Sequence, residues 1–277
     1  MYAARSTPPD RITSLHNPRI KELLRLQEKS AERRRQGLTL VEGYRELSHA
    51  QLAGWTVAQL LLCPELAGEA LTQELTVPAQ RLPRPYELLT VSASVFAKLA
   101  VRERSDGVLA VLHTPRRTLA DLALPANPLV LVLEAVEKPG NLGAILRTAD
   151  AAPAHAVLVG DPRTDLYNPN VIRASLGGIF TVPTVAAPMP EVLAFLKEKG
   201  IRTFAAALAN DAKSYTATNL AGPTALVLGT EADGLTPATR QACDETIIIP
   251  MRGQLDSLNV SVAAAVLTFE AVRQRGE

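Results

Sequence analysis

Aromatic side chains make up only 4% of the 277 residues, too few for a stacking platform to be the main grip on single-stranded nucleic acid. Cysteine is scarcer still. Cys63 and Cys243 are two lone thiols far apart in the chain, which supports neither a disulfide framework nor a zinc site and fits a reducing cytosol. His16, His49, His113 and His155 show no paired ligand spacing, so no metal is expected. Charge of one sign is missing as well: 29 basic residues face 28 acidic ones, and any affinity for nucleic acid must come from a local basic patch. No apolar run approaches the length that spans a bilayer, and the opening stretch MYAARSTPPDR has no apolar core that could serve as a signal peptide. The expectation is a soluble cytoplasmic protein with no membrane partner. The sequence also lacks GxxxxGK[ST], a strand-linked GxGxxG and GxSxG, which removes support for nucleotide triphosphate, dinucleotide and serine-hydrolase chemistry.

What is present is 47% apolar residues, ample for sizeable cores, arranged as alternating strands and helices. Asn17-Pro18 opens a helix whose apolar stripe is Ile20, Leu23, Leu24 and Leu26, and Gly37 stops it. The other faces of that helix carry Arg19, Lys21, Arg25 and Lys29, then the adjacent Arg33, Arg34 and Arg35. Such a run is either a solvated face or a phosphate contact, and Arg19, Lys21, Arg33, Arg34 and Arg35 are the candidate RNA-binding residues. Strands are expected at Leu38–Val41, Val57–Leu62 and Gly107–Leu112, with helices from Glu42, near Leu66–Leu75 and over Ser92–Leu99. The proline- and arginine-containing stretch 114–128 reads as a linker. It divides a small N-terminal α/β domain, 1–113, from a C-terminal domain, 129–277, whose short apolar strands alternate with helices and imply a parallel sheet.

In such sheets ligands bind beyond the C-terminal strand ends, and three of those ends carry unusual polar residues. The first, EAVEKPGNLGAILRTADAA, offers Asn141 as a helix cap and Arg147 six residues later, on a helix whose Ile145, Leu146 and Ala149 pack inward. The second, LVLGTEADGL, sets Glu231 between Gly229 and Gly234, where it could hold the fork of Arg147. The third, IIIPMRGQLDSLNVSVAAA, runs from a β-branched strand through Pro250 into a helix expected from Leu258, with Asp256 and Ser257 as candidate caps.

Taken in order, NLGAILRTA, GTEADG and IPMRGQLDSLNVSVA closely resemble the three motifs of the SpoU (TrmH) family of RNA ribose 2′-O-methyltransferases, within the SPOUT superfamily. The N-terminal half resembles the substrate-binding domain of rRNA-modifying members, through its S-x-x-NPRIK-like opening and Val41-Glu42-Gly43. Pro153 departs from the pattern, since relatives often carry glycine there. The resemblance implies a trefoil knot in the C-terminal domain, a homodimer formed through it, and S-adenosylmethionine as cofactor. By motif position the cofactor contacts are Gly229, Ile249 and Leu258, with Gly234, Pro250 and Met251 close by. Family analogy gives Arg147 the catalytic centre, but a guanidinium stays protonated at neutral pH, so Arg147 is expected to stabilise the developing oxyanion rather than to act as base. Asn141 and Asn259 would position ribose or phosphate, Glu231 would orient Arg147, and Ser257 would hydrogen-bond within the site. The expected activity is 2′-O-methylation of large-subunit rRNA. A tRNA substrate, or a silent RNA-binding or ribosome-assembly role, stands as the alternative, and a drug-resistance role through rRNA methylation is also open.

Overall fold

Asn17 starts the first helix as its chemistry predicts: its side chain accepts a hydrogen bond from the Arg19 N–H at 2.9 Å, with Pro18 at the first helical position. The computed structural model describes residues 11–76, 86–102, 104–230 and 232–276. It divides into two units, one reaching Pro115 and including Tyr167–Pro169, the other formed by Arg116–Leu166 and the chain from Asn170 onward.

The first unit contains α1 (Pro18–Glu28), α2 (Ser30–Gln36), β1 (Leu38–Glu42), α3 (Tyr44–Leu52), β2 (Val57–Leu62), α4 (Pro64–Thr76), β3 (Glu87–Thr90), α5 (Ala93–Leu99) and β4 (Val108–His113). Its sheet has the order β1-β4-β2-β3, antiparallel except for the β2–β3 pair. Ile20, Leu23 and Leu26 of α1 pack with Phe96 and Leu99 of α5 over Leu40, Leu61 and Leu109, each such side chain contributing roughly 1.5–3 kcal/mol by burial. The continuous helix expected over Pro18–Gln36 is interrupted, because Lys29 is extended. The break exposes carbonyls that a continued helix would have bonded, and the Arg33 guanidinium takes their place, donating to Leu26 O at 2.6 Å and Gln27 O at 2.9 Å. Gly37 closes α2 in the left-handed conformation, as expected.

Val41-Glu42-Gly43 proves to be a structural joint. The Glu42 carboxylate accepts the Val101 and Arg102 N–H groups, and buried Glu46 pairs with Arg102 at 2.6 Å. Burial alone would raise the Glu46 pKa, but the bonds from Arg102 outweigh it and hold the carboxylate below its usual range.

The second unit contains β5 (Leu129–Glu134), α6 (Pro139–Ala151), β6 (Ala156–Gly160), α7 (Pro169–Ser175), α8 (Gly178–Thr181), β7 (Thr184–Ala187), α9 (Met189–Glu198), β8 (Arg202–Ala206), β9 (Lys213–Ser214), β10 (Thr224–Leu228), α10 (Pro237–Ala242), β11 (Glu245–Ile248) and α11 (Val260–Arg275). Among the described residues seven strands form one parallel sheet, ordered β7-β6-β5-β10-β8-β11-β9. Every residue of β5 and β10 is buried. That explains their unbroken apolar runs, since a strand covered on both faces has no reason to alternate. Val130 and Val132 pack against Met189, Val192 and Leu196 of α9, while α11 packs on α6, β5 and β10. The expected α/β class, a parallel-sheet domain preceded by a small α/β domain, is therefore what forms. Pro153 falls just beyond the end of α6, whose last carbonyls are taken by Ala152 and Ala154 N–H groups at 2.9 and 2.8 Å.

Candidate active site

Parallel pairing brings the C-terminal ends of β5, β8, β10 and β11 to one edge of the sheet. The turn after β5 is sharp enough that Ala135 takes a positive φ of 52°, an uncommon conformation for a residue with a side chain. Beyond these ends lies a cavity of about 850 Å³, within the range of small-molecule sites. Its wall comes from the loops after β8 (Leu208), β10 (Gly229, Gly234) and β11 (Ile249, Met251), and from Ser257, Leu258 and the first turns of α11. Five of the six residues expected to hold a cofactor thus line one cavity. Pro250 is not on its wall.

The glycines have separate duties. Thr230 and Gly234 bond reciprocally through their backbones at 3.0 and 3.2 Å, folding the loop back on itself, and Gly234 takes φ +67°. Gly229 sits at the waist of that fold. A Cβ there would lie 2.0 Å from the Gly234 carbonyl carbon, so no side chain can occupy the position. Gly143 meets a comparable limit, because a Cβ would lie 2.4 Å from the Ala174 Cβ, and α6 therefore packs closely on α7.

The first and third motifs meet directly. Asn259, not Asp256 or Ser257, caps α11: its Oδ1 accepts from the Ser261 N–H at 2.9 Å and the Ser261 hydroxyl at 2.6 Å. The helix accordingly begins at Val260, two residues later than expected. The Asn259 Nδ2 then donates to Asn141 Oδ1 at 3.3 Å. Asn141 lies inside the first turn of α6 rather than capping it, since Lys138 is the cap and Pro139 opens the helix. Arg147 is exposed on α6 and is not on the cavity wall, while Ile145, Leu146 and Ala149 are buried as anticipated. Glu231 lies outside the described residues. Ser257 is exposed and donates to Asp256 Oδ1 at 3.3 Å.

Sequence reasoning missed Glu134. This carboxylate is 4% exposed at the end of β5 and accepts hydrogen bonds from the Thr236 N–H, the Thr236 hydroxyl and the Thr239 hydroxyl. An acid closing an otherwise apolar strand was the available signal. Cys243 offers no nucleophile. Burial, joined by the nearby carboxylates of Asp244 and Glu134, pushes its thiol up to about 11 although Thr203 opposes the shift.

On the candidate RNA face the five residues diverge. Arg33 is 3% exposed and spent on α1 carbonyls, so the expectation that it contacts RNA is corrected: its guanidinium is a structural cap. Arg19 is paired with Glu87, and Arg35 bonds Glu32 at 2.7 Å. Lys21 and Arg34 are exposed.

The SpoU rRNA Methylase family profile matches residues 128–269, and an MRM3-like substrate binding domain matches residues 17–110. The chain belongs to the SpoU family. It is 32% identical, over 93% of its own length and 97% of the relative's, to the 23S rRNA (guanosine(2553)-2′-O)-methyltransferase RlmP of Bacillus subtilis. An RNA 2′-O ribose methyltransferase of known crystal structure is 42% identical, with TM-score 0.82, covering 97% of this chain and 100% of that one. The SpoU methyltransferase AviRb of Streptomyces viridochromogenes, solved with the cofactor AdoMet, superposes with TM-score 0.85 at 29% identity, covering 94% and 99%. In SpoU terms, the cavity lies where the second and third motifs come together.

Proposed function

We propose that this chain methylates a ribose 2′-hydroxyl of large-subunit rRNA, with S-adenosylmethionine as methyl donor. The observation that carries the reading is the Asn259–Asn141 contact, which joins the first and third motifs beside a cavity formed by the second and third. The rRNA-methylating relative shares both units of the chain, which supports an rRNA substrate over the smaller-RNA alternative.

The cavity fits the cofactor on its own terms. The Gly229 waist leaves backbone in place of side chain on one wall, and Ile249, Met251 and Leu258 supply apolar surface. Gly229, Gly234, Ile249, Met251 and Leu258 would hold the group, with Pro250 shaping the turn between two of them. When bound, the cofactor supplies an electrophilic sulfonium methyl.

The chain's own residues then act on the nucleophile. A ribose hydroxyl is a weak nucleophile until its developing negative charge is stabilised. Arg147, solvent-facing and permanently cationic, supplies that stabilisation. Asn141 and Asn259, each fixed at the start of a helix, orient the ribose and its phosphate, and Ser257 contributes a hydroxyl at the cavity rim. Glu231 orients Arg147.

The same reading includes three properties of the whole chain. The passage of 249–259 and α11 back to the centre of the sheet forms the trefoil knot. α11 pairs with its counterpart in a homodimer, which its exposed Val262 and Phe269 favour. The protein works in the cytoplasm, and no helix among the described residues is long and apolar enough to cross a membrane.

The test is incubation with labelled S-adenosylmethionine and unmodified rRNA or tRNA transcripts, then digestion to nucleosides. Label in a 2′-O-methylated nucleoside of rRNA is the expected result. Label on a base, or in tRNA alone, would overturn the reading.

A further inference from the structure

We infer that Glu134 is a positioning residue for the cofactor, acting through Thr236 to hold the glycine loop in its binding shape before the cofactor arrives. The inference rests on the function proposed above.

The geometry starts from strand register. Leu133 pairs with Leu228, so Glu134 and Gly229 are the next residues on adjacent strands, and the buried carboxylate stands beside the start of the loop. It does not line the cavity. Its bonds reach instead to the other end of the loop: Oε2 accepts the Thr236 N–H at 2.8 Å, and Oε1 accepts the Thr236 hydroxyl at 2.8 Å and the Thr239 hydroxyl. Thr236 is itself the cap of α10, accepting the Thr239 N–H at 3.2 Å. The residues on either side of Thr236, Leu235 and Pro237, are both on the cavity wall. Fixing Thr236 therefore fixes two wall residues at once.

A carboxylate this buried is costly unless its lone pairs are satisfied, and here three donors satisfy them. Glu134 sets where the loop ends, the Thr230–Gly234 bonds close its middle, and Gly229 sets where it begins. With all three anchored, the loop's share of the wall is held in the free protein, and binding does not have to order that share. Releasing the last anchor moves that ordering cost into the binding step. Cofactor affinity falls, while turnover at saturating cofactor is spared, because Glu134 touches neither cavity nor reacting atoms.

The experiment measures S-adenosylmethionine binding to the full-length protein by calorimetry, alongside unfolding temperature without cofactor and steady-state kinetics on rRNA. Glu134→Ala is expected to raise the cofactor Kd about tenfold or more, with kcat at saturating cofactor within about threefold of the parent. Thr239→Val removes one donor and leaves the acid, and is the milder variant should Glu134→Ala fail to fold. Its Kd is expected to rise several-fold, and Thr239→Ser, which keeps the hydroxyl, is expected to restore it. Kd unchanged in a folded variant, even one with a lowered unfolding temperature, would overturn the inference and leave a plain structural contact. So would a matched fall in kcat at saturating cofactor. If the parent protein itself fails to bind S-adenosylmethionine, the proposed function falls first, and this inference with it.

Discussion

Arg147 and Arg33 show how differently one residue type is used in this molecule. Arg147 is exposed on α6 and bonds no described side chain, so its charge is available to a substrate. Replacing it with alanine removes the charge without opening a cavity. Arg147→Ala is expected to cost about 10²–10³ in kcat while leaving the S-adenosylmethionine Kd within about twofold. Arg147→Lys keeps a charge but loses the planar fork, and should recover little. Methyl transfer at the parent rate by the alanine variant would remove Arg147 from the mechanism. Arg33 was misread because three adjacent arginines on a helix point about 100° apart, and composition cannot say which points inward. Only the break at Lys29 decides it, by freeing the two carbonyls that Arg33 takes. The motif residues were noticeable because polar groups and glycines interrupt otherwise apolar strand ends. Glu134 was not, because its partners lie 102 and 105 residues away.

Among the elements, most were readable from their apolar patterns, four-residue β11 with its run of isoleucines included, but β3, β7 and β9 were not. β3 has four residues, β7 four and β9 two, and each owes its existence to a neighbouring strand rather than to its own sequence. The start of α11 was misplaced by two residues because Asp256, Ser257 and Asn259 are all competent caps, and it is Asn259 whose side chain takes the Ser261 N–H while Ser257 bonds Asp256. Two elements invite direct tests. At the glycine loop, a methyl group at residue 229 would collide with backbone at 2.0–2.3 Å, which cannot yield as a flexible side chain would. Gly229→Ala should abolish measurable cofactor binding while circular dichroism stays at parent level, and retained binding would mean the loop can re-fold around the methyl. α11 is apolar on more than its buried face: Val262 and Phe269, seven residues apart, are both 47% exposed. A stripe of that kind in water favours a partner. If α11 pairs with its counterpart as proposed, Phe269→Asp shifts that dimer to monomer in sedimentation, whereas a parent protein that is already monomeric at micromolar concentration would rule the dimer out.

At the scale of the whole molecule, a net charge of +1 forbids a general attraction to RNA, so affinity must be concentrated where cations stand unpaired. On the N-terminal unit Lys21 and Arg34 are exposed without a described ion pair, whereas Arg19 and Arg35 are engaged by Glu87 and Glu32. Each cation that meets a phosphate releases condensed counterions, and the count can be read from salt dependence. Replacing Lys21 and Arg34 together by alanine should weaken rRNA binding and make the slope of log K against log salt less negative, by about 0.7–0.9 for each lost contact. Arg33→Ala is the control from the same helix. It should lower the unfolding temperature, through roughly 1–3 kcal/mol of carbonyls left unbonded, and leave the slope unchanged. If the Arg33 variant alone flattens the slope while Lys21 and Arg34 do nothing, the RNA face lies elsewhere, and the basic helices of the first unit are a solvated surface.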